Sequence, residues 1–152
     1  MRQIPPAALL LGLAGLIPFL WGAATLYLPA LAQWGQTTIG PRFVGPYIQL
    51  YYGALILSFM SGVLWGFATR ADGMTAATGY ALSTLPALWA FFMTGDGAAS
   101  TAINLSTGFL ALLALDWHFW RLHLAPRWWM ALRVLLTVLV LASFLPLVLV
   151  HG

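Results

Sequence analysis

The sequence contains no cysteine, no lysine and no glutamate, and only 6% of its residues are charged. Without a thiol there is no disulfide framework, no iron–sulfur cluster, no thiolate zinc site and no cysteine nucleophile. It also leaves the redox state of the compartment unmarked. The charged set is short: Arg2, Arg42, Arg70, Arg121, Arg127 and Arg133 against Asp72, Asp96 and Asp116. A soluble domain carries about a quarter charged residues, so this set is too small to solvate a chain of 152 residues in water. Disorder is excluded on the same ground, because disordered chains are polar and highly charged. The net charge is +3, yet the arginines are scattered and form no basic stripe, which argues against a nucleic-acid partner.

What the chain has in excess is hydrocarbon: 62% of its residues are hydrophobic and the mean hydropathy is +0.92. At this length it reads as one domain over residues 1–152. Five segments reach the roughly 20 apolar residues that a bilayer crossing needs: 5–32, 44–68, 75–94, 98–117 and 128–150. Between them lie the Gly- and Pro-rich stretch 34–46, the polar turns 70–73 and 95–97, and the charged segment 118–127. A chain this apolar, without the alternation of a barrel, must satisfy its backbone inside helices. The expected fold is therefore an all-α integral membrane protein, five transmembrane helices in a single bundle.

Orientation follows from the arginines. With five helices, the N-terminus and the second and fourth loops share one face, which holds Arg2, Arg70, Arg121, Arg127 and Arg133. The opposite face holds Arg42 alone. The expectation is an N-terminus inside and a C-terminus outside, in a bacterial inner membrane, or in the mitochondrial inner membrane of a eukaryote. Ala30-Leu31-Ala32 resembles a signal-peptide cleavage site, but the apolar run before it far exceeds the usual length of about 7–15 residues. The first segment therefore reads as a retained helix bent at Pro18 and Pro29.

Within the spans, polarity falls into stripes. Tyr47, Tyr51, Ala54, Ser58, Ser61 and Trp65 recur at helical spacing, beside a small-xxx-small ladder of Ser58, Gly62 and Gly66. That pattern predicts a central, closely packed second helix. The fifth, nearly all Leu and Val, is expected at the lipid-facing periphery. Asn104 carries an amide about 10 Å into its span and wants partners, with Gln49, Tyr51, Ser58 or Ser83 in reach. Tyr51, Ser58, Trp65, Trp89 and Asn104 therefore form a candidate ligand cavity, or they only pack helices.

Ionisable groups sit only near the span ends. Asp116 and Arg133 are expected to clamp two helices as an interfacial ion pair, Arg121 being the other possible partner, with side chains snorkelling to the surface. Asp116, His118 and His123 match no strong metal spacing, and i to i+5 does not align two imidazoles. The same segment reads as an interfacial belt of Trp117, Trp120, Trp128 and Trp129. No Ser-His-Asp set, metal site or cofactor site can be assembled, so an enzyme is not the expected reading.

Three stretches carry a resemblance. They are Ile4-Pro5 with Leu11 to Phe19, then Tyr52 to Gly66, then Asp116 with Pro126-Arg127-Trp128, Leu132-Arg133 and Thr137. Together the chain resembles a family of small inner-membrane proteins related to mitochondrial transmembrane protein 69, the domain of unknown function 3429. That resemblance implies a five-helix inner-membrane protein and supplies no catalytic or binding residues. The expected role is a non-catalytic accessory or assembly subunit of a larger membrane complex, respiratory or otherwise energy-converting. The alternative is a module that binds or transports a sterol, quinone or tetrapyrrole, similar to the translocator protein in topology alone.

Overall fold

A computed structural model describes residues 3–151, all of whose regular elements are helical. Eight α-helices follow in order: α1 (Pro6–Ala14), α2 (Ile17–Tyr27), α3 (Pro29–Thr38), α4 (Tyr47–Ala68), α5 (Gly73–Ser83), α6 (Leu85–Met93), α7 (Ala98–Arg121) and α8 (Trp129–His151). Arg2, used above for orientation, lies outside the described residues.

Proline sets the interruptions. Pro18 and Pro29 lack an N–H, and each occupies one of the first two positions of its helix, so the first apolar run divides at Gly15–Leu16 and again at Leu28. The third expected span divides in the same way. Pro86 sits in the first turn of α6, and α5 ends just before it, at Ser83. Neither half is long enough to cross a bilayer alone. Among the described residues, four helical stretches are long and apolar enough to cross: Pro6–Tyr27, Tyr47–Ala68, Ala98–Arg121 and Trp129–His151.

Two expected boundaries move. The stretch 34–46 is not all loop: α3 continues through Thr38, and Pro41–Phe43 forms a 3-10 turn. Gly35 makes this possible, because a Cβ there would meet Val44 at 2.7 Å. The helix α7 runs on to Arg121, a turn beyond the expected end, and is stopped by His123 in the left-handed region at φ 59°. There the Leu124 N–H donates to the Phe119 carbonyl and closes the helix.

Helix α4 packs against α2, α5, α6 and α7, while α7 and α8 run side by side. The core is apolar and aromatic: Phe19 meets Tyr52 at 5.3 Å and Phe144 at 5.6 Å, with Leu57, Leu64, Leu105, Phe109 and Leu147 around them. Helix α8 is not simply peripheral. Leu132, Arg133, Thr137, Val140, Ser143, Phe144 and Leu147 are buried along one side, and Val134, Val138, Leu145 and Leu149 face outward. The outer surface carries large apolar side chains throughout, among them Leu11, Phe59, Phe91 and Phe92, each at least 66% exposed. Water does not tolerate so much exposed hydrocarbon, and lipid does.

Candidate functional site

The turn between α7 and α8 brings the end of one helix beside the start of the next. Asp116, one turn or so before the end of α7, faces Arg133 in the second turn of α8. The Arg133 Nε donates to Asp116 Oδ2 at 2.8 Å, and the Trp129 indole donates to Oδ1 at 2.9 Å. Trp129 is fixed in turn by Phe67 of α4, edge to face at 5.1 Å. The pair does not reach outward: Asp116 is fully buried and Arg133 is 6% exposed. Trp129 and the neighbouring helices cover both groups, so snorkelling gives way to a charge pair enclosed by protein. Arg121 takes no part and stacks over Trp117 at 4.8 Å. His118 packs edge-on against Phe119, and His123 lies past the end of the helix. Both Asp116 carboxylate oxygens accept hydrogen bonds, from Arg133 and Trp129, and neither partner is His118 or His123.

The five residues of the candidate cavity do not meet in one place. Tyr51 and Ser58 line an open groove of about 880 Å³ with Tyr52, Arg42, Phe91 and Thr94. Trp65 stands outside it against Tyr80, ring centroids 4.5 Å apart. Trp89 lines a separate groove of about 530 Å³ and donates its indole N–H to the Asn104 carbonyl at 2.6 Å. The Asn104 amide donates to the Met93 carbonyl at 3.0 Å, so its partner is backbone of α6 and none of the four side chains named above. Trp89 and Asn104 thus tie α6 to α7, filling the space that Gly108 leaves: a Cβ there would lie 2.7 Å from the Trp89 ring.

A third groove, about 520 Å³, runs between α1, α4 and α8 and brings Thr137, to which the sequence assigns no role, beside Arg133. Leu11, Gly15, Tyr52 and Phe59 line it, together with Arg133 and Thr137. Gln49 was also underrated. It is fully buried on α4, under Gly22, whose missing side chain makes room for it, and its amide donates to the Ser143 carbonyl at 2.9 Å. The signal for Gln49 and Thr137 is a polar residue inside an apolar run, reinforced at Thr137 by Arg133 one turn earlier.

The α4 ladder also turns out to face differently than its pattern suggests. Ser61 points inward and bonds α6, but Ser58, Gly62 and Gly66 are exposed. A Cβ built on Gly62 or Gly66 would meet nothing within 4 Å.

Comparison with known proteins agrees with an apolar helical membrane architecture. Transmembrane protein 69 of Xenopus tropicalis is 34% identical over 156 residues, covering 94% of this chain and 54% of the relative. Transmembrane protein 69 of Mus musculus is 30% identical over 151 residues, covering 92% and 54%. The chain spans about half the length of the curated relatives it matches. No solved structure matches. The family described as "Protein of unknown function (DUF3429)" matches residues 4–149, and this multi-pass helical membrane protein belongs to it.

Proposed function

We propose that the chain is a non-catalytic accessory or assembly subunit that docks another transmembrane helix on the outer face of α4. The observation that carries this reading is the open Ser58–Gly62–Gly66 ladder. Small residues one turn apart let helix backbones approach closely in lipid. Elsewhere in the chain such glycines are filled, Gly108 by Trp89 and Gly79 by Ala68 and Phe119. Gly62 and Gly66 stand empty.

In this reading α5 and α6 cross the bilayer together as one interrupted span. That gives five spans, with the arginine-rich loops inside and the C-terminus outside, and residues 1–152 act as one domain of an inner-membrane protein. The test is mild extraction from native membranes, native gel separation and mass spectrometry of the band. Wild type should run inside a large complex, and Gly62→Leu should release it while the isolated protein melts unchanged. A wild-type chain that runs alone or as a small homo-oligomer overturns the reading.

A second reading, a module for a lipophilic small molecule such as a sterol, quinone or tetrapyrrole, is favoured by the groove beside Arg133. Its test is binding by the purified chain, and it is independent of the α4 face.

A further inference from the structure

Among the described residues, six buried side chains carry a hydroxyl: Thr25, Ser61, Ser83, Thr101, Thr137 and Ser143. Five are partnered. Thr25, Ser83 and Ser143 donate to carbonyls three residues back, at 2.8, 2.7 and 2.6 Å. That is the usual habit of a hydroxyl in a helix. Ser61 and Thr101 instead accept backbone N–H groups, from Ala87 at 2.8 Å and Gly95 at 3.2 Å. Thr137, only 2% exposed, makes no hydrogen bond among the described residues. A buried polar group left so is unfavourable, and it points to a missing partner.

One turn before Thr137, on the same face of α8, stands Arg133. Its Nε is taken by Asp116. Its two terminal nitrogens make no hydrogen bond among the described residues, and the side chain, 7% exposed, borders the groove. Arg133 and Thr137 line the same groove, whose remaining walls are almost wholly apolar. An apolar pocket of several hundred Å³ with a few polar groups is the usual form of a small-molecule site. The cover on one side is α1, which buries none of its own residues.

From this geometry we infer that the groove between α1, α4 and α8 binds a neutral lipophilic molecule through a carbonyl oxygen, held by the Arg133 guanidinium and the Thr137 hydroxyl. Charge selects the carbonyl. Asp116 and Arg133 already neutralise each other, so a second carboxylate would leave a net buried negative charge. A carbonyl accepts hydrogen bonds and adds no charge. Two sources share this chemistry, the ring carbonyl of a quinone and the acyl ester carbonyl of a membrane glycerolipid. The inference rests on the second reading above for the lipophilic class of ligand, and adds the site and the recognised group.

The test uses the full chain purified in detergent, with binding read by native mass spectrometry and titration calorimetry. The probes are decylubiquinone, dioleoylglycerol, decylbenzene and oleate. The expected result is one equivalent of decylubiquinone or dioleoylglycerol, whichever is the source, with decylbenzene and oleate weaker. Thr137→Val keeps shape and the ion pair, and should weaken the carbonyl probe by about fivefold or more while the ligand-free melting temperature holds or rises. Equal binding of decylbenzene, with Thr137→Val indifferent, overturns the carbonyl contact while the lipophilic reading survives. A preference for oleate overturns the charge argument. Binding of none of the four overturns this inference and the quinone form of the second reading, and leaves sterol or tetrapyrrole binding and docking on α4 untouched.

Discussion

The Ser61 hydroxyl of α4 accepts the backbone N–H of Ala87 in the first turn of α6 at 2.8 Å. That N–H belongs to the orphan donors at a helix start, which in lipid have no water to turn to. Pro86 creates the helix start, and a side chain from another helix satisfies it. Ser61→Ala should therefore cost about 1–2 kcal/mol and lower the melting temperature in detergent. An unchanged melting curve would mean that the N–H finds another acceptor.

Asp116 and Arg133 are enclosed together, so removing one strands the other. Asp116→Leu or Arg133→Met alone should destabilise by about 3 kcal/mol or more, while the double variant should recover most of the loss. Thermal unfolding of the three purified variants measures the coupling. Additive losses would show that the pair contributes nothing as a pair.

The glycines separate into two groups. A Cβ at Gly79 would lie 2.9 Å from Ala68 and 3.2 Å from Phe119, whereas one at Gly66 meets nothing within 4 Å. Gly79→Ala should destabilise the isolated protein by about 1–3 kcal/mol. Gly66→Ala should be neutral, or stabilise it by up to about 1 kcal/mol. Comparing their melting temperatures in one detergent checks both.

Because the chain has no cysteine, single cysteines report topology without background. In right-side-out vesicles an impermeant maleimide should label Asp96→Cys and leave Ala71→Cys and His123→Cys protected until the membrane is permeabilised. Equal labelling at residues 71 and 96 would show that α5 and α6 return to the side they came from.

Helix content was legible because apolar runs of this length have few alternatives, and Pro18 and Pro29 marked their own bends. Pro86 carries the same signal inside the third run, where the unbroken apolar length of 75–94 conceals the joint between α5 and α6. The facing of α4 was not legible. Periodicity says that Ser58, Gly62 and Gly66 share a face, but where both protein and lipid are apolar it does not say which face turns inward. The enclosure of Asp116 was hidden for a different reason: its cover comes from Trp129 and from helices distant in sequence.

The proline joints have a mechanical consequence. Helices α4 and α7, with 22 and 24 residues and no internal proline, are uninterrupted rods of about 33–36 Å, and a thinner bilayer obliges them to tilt. The pairs α1–α2 and α5–α6 are jointed near their middles, at Gly15–Leu16 and Thr84. Each can shorten by bending at its joint while the rods keep their crossing. Changes in bilayer thickness would thus be absorbed in the jointed pairs, and the contact between α7 and α8 that encloses Asp116 would be spared.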